Sequence, residues 1–154
     1  MVRLICALVL VLLIASPSLA QRSPVGTYEL VYQVIEVGGA PIETMGDIPH
    51  GYLVFTPTRM ITLYTTDNRN FGTSVAEKAA LFDTLVGWAG VYHVEESKVI
   101  VTVDASFVEH MNGTTRVYTW QLLGNRFTLT SGPMPYLRDP SKTMVRQAVW
   151  DKVE

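Results

Sequence analysis

The chain has 154 residues, with 12 basic and 14 acidic side chains, three histidines and a formal net charge of −2. The charges are interspersed and form no basic patch, which argues against nucleic acid or an anionic membrane surface as a partner. The lone cysteine, Cys6, excludes an intrachain disulfide framework.

The N-terminus reads as a leader. A basic start, "MVR", is followed by an unbroken apolar run from Leu4 to Ala15, and Ser18 and Ala20 supply the small residues that a signal peptidase reads. The run is shorter than the roughly twenty residues that a spanning helix needs. We therefore expect residues 1–20 to be a signal peptide, cleaved before Gln21, and the mature protein to be secreted or periplasmic. Cys6 would leave with the leader, so residues 21–154 would form a single domain without thiol chemistry. With Arg3 gone, the 12 basic residues fall to 11 against 14 acidic ones, a formal charge of −3.

Beyond the leader, short runs rich in Val, Ile, Thr and Tyr alternate with turn residues, the pattern of an all-β meander. "GTYELVYQVIEV" (residues 26–37) predicts the first strand, ended by Gly38, Gly39 and Pro41. "GYLVFT" and "MITLYT" predict a hairpin around Pro57-Thr58-Arg59. "VYHVE" with "KVIVTVDAS" predicts a second, and "TRVYTWQLL" with "RFTLTS" a third across Gly124-Asn125. "KTMVRQAVWDKV" closes a set of eight strands. One segment differs: "SVAEKAALFDTLVGWAG" (residues 74–90) is rich in Ala and Leu and places Val75, Ala79, Phe82 and Val86 at helical spacing. Ser74 or Thr73 can cap it and Glu77 sits in its first turn, which predicts a helix of about three turns between the third and fourth strands.

Eight strands with short connections close most economically into an antiparallel up-and-down β-barrel, because closure removes exposed edges. Such a barrel either fills its interior with side chains or holds one small ligand. An outer-membrane barrel would need strands of about 9–11 residues. Most of the runs here are shorter, so a soluble barrel is the better fit.

The chain also resembles the bacterial and fungal lipocalin-like domain family. The matching pieces are "GTYELV", "HGYLVFTPTRMI", "AALFDTLVGWAGVYHVEESKV", "VDAS", Arg116, "GNRFTLTS" and "AVWDKV", in order over nearly all of residues 26–153. The resemblance implies a small lipocalin-like barrel and assigns no activity. Three positions depart from the family's pattern: a histidine pair before "VDAS" is replaced by Val101 and Thr102, and a tryptophan after the first Gly-Thr is replaced by Tyr28.

Candidate sites follow from the alternation of side chains along strands. A two-residue turn at Glu96-Ser97 would pair Glu95 with Lys98, Val94 with Val99 and Tyr92 with Val101. Tyr92, Val94, Val99, Val101, Val103 and Ala105 would then face inward, and His93 and Asp104 outward. His93 and Asp104 would lie more than about 10 Å apart, too far to share a metal, so no metal site is expected. No Gly-x-Ser-x-Gly elbow and no cofactor motif is present. An acid–base site would have to draw on Asp104, His93 or Glu43, assisted by Tyr92 or Arg116. Aromatic residues recur along the strands, and Tyr32, Tyr92, Arg116, Tyr118 and Trp120 are the candidates to line a pocket for a small, largely apolar ligand. Arg116 shares a face with Tyr118 and Trp120, so an inward face would bury a charge that needs a carboxylate, an aromatic ring or an anionic ligand. Three readings remain open at this level: a binder, a cofactor-free isomerase, cyclase or hydratase, and a filled barrel that works through its outer surface. "IETMGDIPH" (residues 42–50) and "SGPMPYLRDPSK" (residues 131–142) are candidate rim loops, and "NGT" at Asn112 matches a glycosylation sequon.

Overall fold

The computed structural model describes residues 23–136 and 139–154, without the side chains of residues 42–44. The expected signal peptide lies outside the described residues. The strands are β1 (Gly26–Val37), β2 (Ala40–Thr44), β3 (His50–Phe55), β4 (Arg59–Thr65), β5 (Leu85–Glu95), β6 (Lys98–Ser106), β7 (Thr115–Leu123), β8 (Arg126–Ser131), β9 (Met134–Tyr136) and β10 (Asp139–Lys152). Eight of them close a barrel in the order β1-β3-β4-β5-β6-β7-β8-β10, with β10 returning to β1. Every pairing is antiparallel.

The hairpins follow their turns. Glu96 adopts φ 52° and Gly124 φ 61°, the left-handed backbone that two-residue turns require. The pairs Glu95–Lys98, Val94–Val99 and Tyr92–Val101 form as expected, as does Leu123–Arg126. The period-two face of β6 is inward, and Val99, Val101 and Val103 are fully buried.

Two bulges in the described pairings of the barrel itself reset the alternation. In β1, Val31 is extra: Leu30 pairs with Trp150 and Tyr32 with Val149. Tyr28 and Leu30 point inward before the bulge, and Gln33, Ile35 and Val37 after it. Tyr32 is thereby turned to the outer face. In β6, Asp104 is extra, between Val103 paired with Gly90 and Ala105 paired with Ala89. Ala105 consequently lies on the outer face, contrary to the strict alternation.

The short strands β2 and β9 arise from the two candidate rim loops. β2 pairs with the second half of β1, and β9 with the first half of β10. The long strands β1 and β10 thus run past one barrel mouth as the centre of a four-stranded extension. Its own small core gathers Ile35, Val37 and Met144, with Met134 and Tyr136 against them.

The helix, α1 (Val75–Asp83), joins β4 to β5 and is shorter than expected. Ser74 and Glu77 form a reciprocal capping box, and Thr84 ends the helix. Residues 85–90 are strand rather than helix. Gly87 and Gly90 weaken a helix there, whereas pairing with β4 buries Trp88 inside the barrel. No side chain of α1 is buried; Phe82 reaches Phe107 beside the barrel mouth, with ring centroids 5.2 Å apart.

The end of the barrel opposite the extension is filled. Phe127 lies between Tyr28 (4.8 Å), Phe55 (5.5 Å) and Trp120 (5.7 Å), and Tyr92 packs on Phe55 at 5.0 Å. Tyr28 donates its hydroxyl to Pro24 O and Tyr92 to Thr56 O, so both phenols are satisfied by backbone.

Candidate functional site

The other mouth is open. A cleft of about 410 Å³ sits between the barrel rim and the extension. β5 contributes Val86 and Trp88, and β7 contributes Arg116 and Tyr118. The connection between β6 and β7 adds Phe107, Val108, His110 and Met111; Ser131 ends β8; Met134, Pro135, Met144 and Arg146 come from β9 and β10. Trp88 and Tyr118 stack nearly parallel (6°) at 6.0 Å and form the floor. Three methionines, Met111, Met134 and Met144, supply adaptable apolar wall.

Below that floor lies a cavity of about 30 Å³, lined by Gln33, Thr62, Tyr64 and Trp150 and sharing Trp88, Tyr118 and Arg146 with the cleft. It has room for a group the size of a water molecule. Tyr64 donates its hydroxyl to Gln33 Oε1 at 2.6 Å. Gln33 stands there because of the bulge at Val31.

Burial pushes the Tyr118 phenol up to about 12, with Tyr64 adding to it and Arg146 and Arg116 offsetting part. Tyr64 is raised by burial as well, again with a partial offset from Arg146. Both phenols are therefore neutral hydrogen-bond donors at physiological pH. Arg146 donates its backbone N–H to Ser131 Oγ at 2.9 Å. The Nε atoms of Arg116 and Arg146 are buried and lack a hydrogen-bond partner among the described residues.

Of the residues singled out in the sequence, Arg116 and Tyr118 meet in this cleft. Trp120, two positions further along β7, belongs to the filled end, where it stacks on Phe127. Tyr92 also lies at that end, beside a wide surface hollow of about 480 Å³ that includes His93. Tyr32 is 41% exposed on the outer face, so the bulge removes it from the lining. Asp104 is ion-paired with Arg59 on the barrel exterior, and His93 contacts Glu95 at 3.2 Å in the open. Glu43 pairs with Ile35 through the backbone of β2, and its side chain lies outside the described residues. Among the described residues no three His, Cys, Asp or Glu side chains converge on a point.

Sequence reading missed Arg146, Trp88 and the methionines. Arg146 had a usable signal: counting back by twos from an inward Trp150 gives Ala148, Arg146 and Met144 on one face. Trp88 was hidden inside the predicted helix.

A closed eight-stranded antiparallel barrel with a cleft at one mouth defines a protein of the lipocalin type, a fold suited to holding small molecules. The family model described as a lipocalin-like domain matches residues 25–153, and the chain belongs to that family. Among curated proteins no match was found. Val101 is fully buried in the barrel wall opposite Arg116, and Thr102 is exposed outside.

Proposed function

We propose that this protein is an exported binder that holds one small, largely apolar molecule in the mouth cleft. The observation that carries the reading is the cleft itself, about 410 Å³ of aromatic and methionine wall with a few polar groups, which falls in the usual range for small-ligand sites. The filled opposite end supports it, because a ligand can enter and leave by one mouth only. Export rests on the leader-like residues 1–20. The acid–base alternative finds His93 and Asp104 outside the cleft, so binding is the better-supported reading.

Native mass spectrometry of protein purified from its own host tests this directly. The expected result is a retained small molecule that is lost on Trp88→Ala. Protein carrying no ligand, and binding no apolar probe in calorimetry, would overturn the proposal. N-terminal sequencing of the same preparation should begin at Gln21; an intact Met1 would refute export through a cleaved leader.

A further inference from the structure

The cleft has an uneven charge. Its described lining includes two guanidiniums, Arg116 and Arg146, and no carboxylate. This contrasts with other arginines of the chain: Arg59 pairs with Asp104, and Arg126 grips Asp151 through two bonds of 2.9 Å, both on the exterior. Arg59 and Arg126 have acids beside them and the exposed Arg69 bonds the Leu81 carbonyl, whereas the two in the cleft form no ion pair among the described residues. Arg116 and Arg146 are half-buried with buried Nε atoms, and partial desolvation against aromatic and methionine walls favours an anion beside them. The chain is acidic overall, so the positive cleft is a local arrangement.

The placement suits a shared target. Arg116 lies on β7 and Arg146 on β10, on either side of β8, where Ser131 also lines the cleft. Ser131 Oγ accepts the Arg146 backbone N–H, and its own proton is uncommitted among the described residues. Tyr118 adds a phenol that burial keeps protonated. The Arg146 side chain also hydrogen-bonds the Tyr64 phenol, but among the described residues the Nε atoms of both arginines have no acceptor, and the cleft lining offers these donors no carboxylate.

We infer, resting on the binding role proposed above, that the ligand is an amphipathic organic anion. Its carboxylate, or a sulfate or phosphate ester that likewise presents a pair of anionic acceptor oxygens, meets Arg116 and Arg146. Its apolar body lies on Trp88 and the methionines. Guanidinium forks are the side chains best matched to such heads.

One internal rival has a place in the fold. Glu43 pairs with Ile35, and Ile35 with Arg146, so the three share a cross-strand row. Glu43→Gln separates a counter-ion within the chain from one brought by a ligand.

The test is calorimetric titration of the mature protein with decanoate, decyl sulfate and decanol. We expect at least one anion to bind about tenfold or more tighter than decanol, the scale of a charged hydrogen bond. Arg116→Gln and Arg146→Gln should each erase most of that preference while decanol binding persists. Arg116→Lys and Arg146→Lys, which keep the charge if the glutamine variants fail to fold, should retain part of it. Whichever anion is preferred identifies the head group. Equal affinity for anions and decanol overturns this inference and leaves the apolar binding role standing. A preference that appears only in Glu43→Gln also overturns it, because the arginines are then satisfied within the chain. Failure of all three probes to bind sinks both readings.

Discussion

The two ends of this barrel are built from the same kinds of residue and behave differently. At the filled end, Tyr28, Phe55, Tyr92, Trp120 and Phe127 interlock, and both tyrosine hydroxyls find backbone acceptors. At the open mouth, Trp88 and Tyr118 stack against a cavity, and two arginines keep buried Nε atoms without partners among the described residues. Aromatic content therefore does not distinguish a core from a site. What distinguishes them is what stands beside the rings: two guanidiniums and a cleft of about 410 Å³ at the mouth, and close ring-to-ring contacts at the filled end, where Trp120 Nε1 is likewise buried without a partner among the described residues.

The largest effect that would break the comparison is on stability. Phe127→Ala removes the centre of the filled end, where Phe127 is fully buried, and should cost about 3–5 kcal/mol. Trp88→Ala, facing the cleft, should cost less, about 1–3 kcal/mol, while removing most affinity for an apolar ligand. Urea midpoints measured side by side decide this; equal losses would mean that the mouth is simply more core.

Gly90 lies opposite the β6 bulge, between the two ends. A Cβ there would collide with Thr102 O and lie 2.8 Å from Val101 Cγ2. Gly90→Ala should therefore destabilise by about 1–3 kcal/mol through overpacking. A neutral result in thermal melts would show that the bulge can shift without harm.

Alkaline titration sharpens the contrast at the mouth. The Tyr118 phenol is raised from 10.0 to about 12 by burial, so the folded state holds its proton more tightly than the unfolded state. That contribution is complete below pH 10 and is lost as the pH climbs towards 12. Tyr118→Phe should flatten the fall in melting temperature across this window, and an unchanged slope would assign the effect to other tyrosines.

The smallest effect belongs to neither end. Glu77 is held down at about 2 by the N–H and hydroxyl groups of Ser74 and Thr73. Its support for α1 is present above the ordinary carboxylate value of 4.5 and is lost as the pH falls towards 2. Glu77→Gln should lower hydrogen-exchange protection within α1 alone. Loss of protection in the barrel strands would mean that α1 bears on the fold more than its exposed side chains imply.

Much of the fold was legible because its determinants are local. The valine alternation of β6, the turns at Glu96-Ser97 and Gly124-Asn125, and the capping box at Ser74 and Glu77 each specify geometry within a few residues. Residues 85–90 were misread for a related reason: "LVGWAG" looks helical in isolation and is held extended only by its partner β4. The candidate site was half legible. Arg116 and Tyr118 were found through a shared strand face, whereas Tyr32 was misplaced and Arg146 overlooked.

The sequence by itself determined that this chain makes a closed antiparallel barrel, because period-two patterning and turn chemistry act over short stretches. Only the tertiary structure decided which interior positions meet. The bulges at Val31 and Asp104 exist to fit β1 against β10 and β6 against β5, and each reverses the inside and outside of every residue beyond it. Closure then brings Arg146, from the last strand, across β8 to Arg116. No local pattern contains that meeting, because it depends on how far each strand is sheared against its neighbour when the barrel closes.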